Sequence, residues 1–201
     1  MNNLRLTISL LAIFLMLICL PGNLLGQHLG AFGEVATSTF PELKNHRGIG
    51  LTYLRINESG KTWHITLSKG YSSFKDDQGD LFYGNRVALS STWQKLLTGS
   101  LRQGLYIGGG LGLDFYYASI ILTPTLNPVA MVQLQYLETN VLHTPLSVFV
   151  AAKPKASIGF NYLLNCYDCY TPYGNPMLLL ELNAGIMYNF SKKKNQYKYA
   201  E

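Results

Sequence analysis

The sequence predicts an all-β chain in which eight antiparallel strands wind as an up-and-down barrel across a membrane, behind a cleavable leader. Three observations predict it. Alternation of apolar and polar residues runs through almost every segment after residue 27, which is the period of a strand with two unlike faces. The alternating segments are 10 to 17 residues long, whereas a soluble strand averages ~5–6 and a tilted bilayer crossing takes ~9–11. Aromatic residues on the apolar face collect at the two ends of these segments, where amphipathic rings meet the headgroups of a bilayer.

Eight segments follow in order: 29–39, 47–57, 61–71, 84–97, 104–118, 129–138, 146–162 and 177–190. The first is the least regular, because Phe32 and Glu34 share a face. The second carries Tyr53 on its apolar face. In the third, Trp63, Ile65, Leu67, Lys69 and Tyr71 alternate with Thr62, His64, Thr66, Ser68 and Gly70. The fourth sets Trp93 against Arg86 and Gln94. The fifth, "LYIGGGLGLDFYY", keeps Leu105, Ile107, Leu111, Leu113, Phe115 and Tyr117 in strict alternation, with Gly108, Gly110 and Gly112 on the lumen side and Gly109 toward lipid. It lacks the lysine of a phosphate loop, and Leu113 breaks G-x-G-x-x-G. Its lumen glycines are expected to leave room for Lys153, Lys155 or Arg86. The sixth turns Gln133 and Gln135 inward and Tyr136 outward. The seventh alternates Val148, Val150 and Ala152 with Lys153 and Lys155, and contains Pro154. The eighth opposes Leu178, Leu180, Leu182 and Ile186 to Glu181 and Asn183. Compact connections ("NESGK", "TGSLRQG", "TNVLHTP") alternate with loops richer in turn formers, of which "SSFKDDQGDLF" and "LLNCYDCYTPYGN" are the long ones. Short turns at one end and long loops at the other are the plan of an outer-membrane barrel, and an even strand number returns both termini to the periplasmic side.

Of the 201 residues 48% are hydrophobic and only 13% charged, with 14 tyrosines and 19 glycines, a balance that suits strands and a single domain. The formal net charge of +5 is diffuse. The one dense basic run, "SKKKNQYKY", is a tail at 191–201, and no basic face or nucleic-acid motif accompanies it. At the other end Arg5 precedes the apolar run Leu6–Leu20, which Pro21 and Gly22 break. The run is shorter than the ~20 residues of a spanning helix. It reads as a secretory signal peptide over 1–26, cut near Gly26–Gln27. Ile18 is too large to precede a lipidated Cys19. Residues 27–190 then form the barrel.

The aromatic residues sort by strand end. Tyr53, Trp63, Trp93, Tyr136, Tyr188 and Phe190 fall on the periplasmic side, and Tyr71, Tyr83, Phe115, Tyr117, Phe160 and Tyr162 on the outer side. All twelve have lipid-facing parity. With the leader, the eight long segments and the closing "LNAGIMYNF", the chain resembles small outer-membrane β-barrel proteins of the porin-like superfamily, in the style of Bacteroidota. The resemblance implies insertion by the barrel-assembly machinery, contact with outer-membrane lipid and lipopolysaccharide, and an assembly signal at Phe190, although eleven residues follow it here.

Parity places Glu34, His64, Arg86, Gln94, Asp114, Gln133, Gln135, Lys153, Lys155, Glu181 and Asn183 in the lumen. An eight-stranded lumen is just wide enough for side chains to fill, and buried charges must be paired. Glu34, Asp114 and Glu181 are therefore expected to neutralise Arg86, Lys153 and Lys155, with Glu181 meeting Lys153 or Lys155 across adjacent strands. Pro154 removes a ladder hydrogen bond and predicts a bulge or a local opening, the opening being a conceivable lateral gate. Cys166 and Cys169, the two cysteines beyond the leader, suit a loop disulfide ahead of a free dithiol. No metal or cofactor motif is present. His28, His46 and His143 fall at ends or turns and suggest no site, and His64 with Ser68 is the nearest approach to a base and nucleophile.

These features point to a non-enzymatic outer-membrane barrel that serves as scaffold, recognition surface or complex component. Its outer loops would engage a protein partner, and nucleic acid is excluded as one. A lipid-modifying enzyme, resembling lipid A deacylases or palmitoyltransferases, is the alternative. An ion or solute channel and a soluble lipocalin-like barrel are weaker readings.

Overall fold

The structure, a computed structural model, describes residues 12, 26–38, 43–75, 81–117, 125–157 and 178–190. Eight strands close into one antiparallel barrel in sequence order: β1 Gly26–Ser38, β2 Leu43–Ile56, β3 Lys61–Lys75, β4 Leu81–Gly99, β5 Gln103–Tyr117, β6 Thr125–Thr139, β7 Leu146–Ser157 and β8 Leu178–Asn189. Closure is made by β1 against β8, with His28 opposite Asn189, so both chain ends of the barrel lie at one rim. Full closure leaves no unpaired edge, which a sheet surrounded by hydrocarbon requires.

The strands outrun the alternating segments at the loop end. Phe74–Phe82 and Lys75–Leu81 still pair, so most of "SSFKDDQGDLF" is a hairpin extension rather than a loop. Thr125–Pro128 likewise joins β6. Pairing with a neighbour extends a strand through residues whose own pattern is irregular. At the terminal rim the turns are tight. Asn57 Oδ1 accepts from the backbone N–H groups of Ser59 (3.1 Å) and Lys61 (2.8 Å), and Gly60 takes a positive φ of 74°. "TNVLHTP" contains a short 3-10 turn, Val141–His143. Apart from residues 12 and 26, the segment expected to be a leader lies outside the described residues, as do the basic tail, Phe160, Tyr162, Cys166 and Cys169. Gly26, expected to end that segment, instead opens β1.

Followed from His28 through Leu54, His64, Thr92, Gly110, Met131, Lys155 and Leu179, the register returns to β1 at Ser38, ten residues beyond its start. Eight strands with that shear tilt by about 40°. Strict alternation then builds two unlike surfaces. Leu111, Val150, Leu182 and Ile186 stand exposed on the outer wall, while His64, Arg86, Gln133, Lys153 and Glu181 are buried inside. Outward aromatics mark both ends: Trp63, Trp93, Tyr136, Tyr188 and Phe190 near the terminal rim, and Tyr71, Tyr83 and Phe115 toward the other. Trp63 and Trp93 stack at 6.4 Å, and the Trp63 indole donates to the outward Ser91 hydroxyl at 2.7 Å. Tyr53 departs from the expected girdle. It has outward parity but is buried in a cluster with Ile65, Val87 and Leu89.

At Pro154 the β6–β7 ladder opens without slipping. Met131 pairs with Lys155 and Leu134 with Ala152, in one continuous register, while Val132 and Gln133 between them have no partner on β7. The expected bulge is therefore absent and a local opening stands in its place. A missing N–H costs one ladder bond, whereas a bulge would shift every residue beyond it to the wrong face. True irregularities occur elsewhere, between Leu96 and Thr98 of β4 and between Leu43 and Asn45 of β2.

The glycines of β5 do a different job from the one expected. A Cβ on Gly108 would collide with the Trp93 carbonyl and Gln94 Cα, and one on Gly110 with the Ser91 carbonyl. They admit the β4 backbone, not Lys153, Lys155 or Arg86. Gly109, on the lipid side, has only the Met131 carbonyl nearby, at 3.4 Å. Gly108→Ala should therefore destabilise the barrel by about 1–3 kcal/mol and lower the temperature at which the compact gel band unfolds, whereas Gly109→Ala should leave that temperature unchanged.

Candidate functional site: the lumen network

The lumen is built in three layers along its axis. At the terminal rim Phe32, Leu54, Ile56, Tyr106, Leu137, Phe149, Ala151 and Met187 form a buried apolar plug, with Leu96 and Leu101 packed on it. Most of these are lumen-facing positions near the terminal ends of their strands, while Phe32 and Ala151 reach further in, Ala151 opposite Gln135 and Asn183. His64 meets the plug edge-on, 5.4 Å from the Phe149 ring.

Above the plug lies a layer of neutral polar side chains. Gln133 Nε2 donates to His64 Nδ1 at 2.8 Å, which leaves the ring proton on Nε2, 2.6 Å from the Thr52 hydroxyl. Thr92 donates to Gln133 Oε1 at 2.8 Å, and Gln133 and Gln94 both donate to Gln135 Oε1, at 2.6 and 3.2 Å. The Thr66 and Ser90 hydroxyls meet at 2.6 Å.

The charged layer fills the loop half. Arg86, from β4, is the hub. Its Nη2 donates to Asp114 Oδ2 at 2.6 Å and to Glu181 Oε2 at 3.0 Å, its Nε to Asp114 Oδ2 at 3.1 Å, and its Nη1 to Glu34 Oε1 at 3.5 Å. Lys155 Nζ reaches Glu181 Oε2 at 2.6 Å and Asp114 Oδ1 at 3.9 Å. Lys153 sits opposite Glu181 in the ladder, 3.8 Å from Oε1, and donates to the Thr66 hydroxyl at 3.2 Å. Three carboxylates thus face Arg86, Lys153 and Lys155, and the ion-pair set is balanced. Both lysines meet Glu181, at 3.8 and 2.6 Å, the carboxylate that lies across the β7–β8 ladder from them.

His46 is the member the sequence did not offer. Its place in the connection before β2 suggests no site, yet β2 extends to Leu43 and carries it into the lumen. Its Nε2 lies 2.6 Å from Glu34 Oε1 and its Nδ1 3.0 Å from the Ser72 hydroxyl. Its parity, shared with Gly48 and Thr52, was the available signal. His28 is also interior, 3.0 Å from the Ser147 hydroxyl. His143 lies in the short 3-10 turn. Gly48 makes room for Glu34, whose Oε1 lies 2.8 Å from where a Cβ on Gly48 would stand.

Ser68, the nucleophile candidate offered with His64, is not among the hydrogen-bond partners of that ring. Both nitrogens of His64 are occupied by Thr52 and Gln133, and no carboxylate orients the ring. A nucleophile–base pair needs that third group and access to substrate, and both His64 and Thr52 are buried. Among the described residues no three His, Cys, Asp or Glu side chains converge as a metal site.

A closed eight-stranded up-and-down barrel, apolar outside and polar inside, is the architecture of the small outer-membrane β-barrels. No protein-family model matches the sequence, and no curated protein matches it. Solved structures match the fold. AlkL, an outer membrane protein determined in DMPC lipid bilayers, is 12% identical with a TM-score of 0.51, over 87% of this chain and 94% of that one. OprG, an outer membrane protein from Pseudomonas aeruginosa, is 10% identical with a TM-score of 0.47, over 85% and 99%. Ail, the attachment invasion locus protein of Yersinia pestis, is 15% identical with a TM-score of 0.45, over 82% and 97%, in a complex with the heparin analogue sucrose octasulfate. At these identities the likeness is one of fold.

Removing the hub should be the most damaging single change. Arg86→Met leaves Glu34, Asp114 and Glu181 buried without their shared partner, a loss of about 3–5 kcal/mol. Arg86→Lys should recover little of it, because a point charge cannot fork to three carboxylates. Urea unfolding in detergent, followed by tryptophan fluorescence, measures both.

Proposed function

We propose that the protein is an integral outer-membrane barrel with no catalytic role, a closed lumen and both termini in the periplasm, acting through its loop end as a scaffold or docking element. The observation that carries this reading is the filled lumen. A self-neutralised charge network fills the loop half, amides and hydroxyls the middle and an apolar plug the terminal rim, so the interior is spent on holding the barrel together. Function then falls to the loops at the rim opposite the termini, the usual place for recognition on a rigid scaffold. The apolar outer wall with aromatics at both ends supports the membrane location.

Three measurements test it. The chain should fractionate with outer membranes and migrate differently before and after boiling. Lipid A mass spectra with and without the gene should coincide; a changed acyl pattern would support the lipid-modifying alternative instead. In planar bilayers the wild-type barrel should give no steady conductance, whereas Tyr106→Ala with Phe149→Ala, which hollows the plug, should raise it. A conducting wild-type barrel would overturn the closed-lumen reading.

A further inference from the structure

The outer wall is not uniform. Every lipid-facing residue described on β7 and β8 is uncharged, and so is every one on β5 from Leu105 to Phe115. The basic residues of outward parity lie on β2, β3 and β4 instead. Arg55, Lys61 and Lys95 flank Trp63 and Trp93 at the terminal rim, while Arg47 and Lys69 lie toward the loop rim. Arg47 and Arg55 are eight residues apart on β2. At ~3.3 Å per residue and a tilt of about 40°, that spacing is about 20 Å along the membrane normal, within the ~25 Å of a barrel's apolar band.

Arg47 and Lys69 are thus cations on a hydrocarbon-facing wall. Arg47 pairs with Tyr71, Lys69 with Ile49 and Val87, and both cations are exposed. Neither has an ion-pair partner among the described residues. An ionisable group at that depth is costly unless its charge reaches an anion at the interface. Long side chains of this kind extend toward the headgroups. Immediately below them is a groove of about 760 Å³, lined by Ala31, Gly33, Ile49, Leu51 and Ala184, with Lys69 as its charged member. A cation pair heading an apolar groove is complementary to a lipid with a phosphate at its head and a chain behind it.

We propose that Arg47 and Lys69 bind the phosphate of an acylated, phosphorylated glycolipid in the outer leaflet, with one of its acyl chains in the groove between β8 and β3. The assignment rests on the reading that the loop rim faces outward, which makes the leaflet at Arg47 and Lys69 the outer one. Arg supplies the fork and Lys the point charge for an oxyanion with several acceptors, and the Tyr71 ring stands at the headgroup level beside them.

Native mass spectrometry of the membrane-extracted barrel tests this with three added lipids: bisphosphorylated lipid A, enzymatically dephosphorylated lipid A, and phosphatidylglycerol. The wild type should retain bisphosphorylated lipid A, and Arg47→Gln with Lys69→Gln should lower its occupancy at least fivefold. Arg55→Gln with Lys95→Gln, at the other rim, should leave it unchanged, and Lys69→Arg should preserve it. Heat-modifiable gel migration verifies that each variant is folded. Equal retention of the phosphorylated and dephosphorylated forms would overturn the phosphate site, and phosphatidylglycerol retained as well as lipid A would overturn the glycolipid assignment. A lipid-free dimer abolished by the double variant would give the face to a second copy of the chain and also overturn it. A C-terminal epitope open to antibody on intact cells would fail the orientation separately; it would move the site to the inner leaflet and remove the glycolipid, whatever the detergent experiment selects.

Discussion

The whole molecule depends on one guanidinium. An eight-stranded barrel has room in its lumen for side chains and little else, so a charge placed there finds no bulk water to solvate it and must be neutralised by its neighbours. Arg86 does this for carboxylates from three different strands, Glu34 of β1, Asp114 of β5 and Glu181 of β8. β5 adjoins Arg86's own strand β4, whereas β8 and β1 are neighbours across the closure, so the hub ties one side of the wall to the other. The hub therefore couples regions of the wall that no ladder hydrogen bond connects, and Lys155 repeats the pattern from β7 to Asp114 and Glu181. Fitting so large a group into so narrow a space sets conditions on the positions around it. Gly48 lacks a side chain where Glu34 needs its volume, and Gly50 is bare where the Phe32 ring lies.

The layered interior follows from the same restriction. A lumen of charge alone would be balanced only by a counter-charge at every level. Gathering the ions in the loop half, the amides and hydroxyls in the middle and most of the hydrocarbon in the terminal half lets most of these groups meet their own kind, although Gln94 Oε1, Gln135 Nε2 and Asp114 Oδ1 keep no hydrogen-bond partner among the described residues. The neutral layer joins the other two. Thr66 accepts from Lys153 above, while His64 rests its ring edge on Phe149 below.

The architecture was legible because a barrel wall writes itself into the sequence at period two. Parity alone separated Lys153 from Pro154 and Glu181 from Leu180, and the network's carboxylates and cations could be named from it. The details that escaped are those fixed by neighbours rather than by local pattern. His46 stood outside the segment assigned to its strand, because the alternation around Leu43–Asn45 is broken by an irregularity that only pairing with β3 reveals. The β5 glycines were correctly assigned to the inner face, but their cause is the approach of the β4 backbone, a matter of curvature that has no sequence period. Tyr53 shares the parity of the girdle and yet is buried among Ile65, Val87 and Leu89, a distinction between neighbours on one face that alternation cannot carry.

Pro154 shows why a weak point in the wall is tolerable here. It leaves Val132 and Gln133 without partners across the β6–β7 seam, and in a hydrocarbon environment an unmet backbone group is expensive. The same two strands are held from within at that level. Gln133 is tied to His64, Thr92 and Gln135, and Lys153 to Thr66 and Glu181. On its other side Pro154 keeps its place opposite Leu180 in the β7–β8 ladder. The two lumen residues nearest the opening are thus anchored to strands on the far side of the barrel. Separating β6 from β7 would mean breaking those bonds as well as the ladder that remains. The lumen network thereby makes the seam a braced gap in the wall, and a hollow lumen with the same proline would lack that restraint.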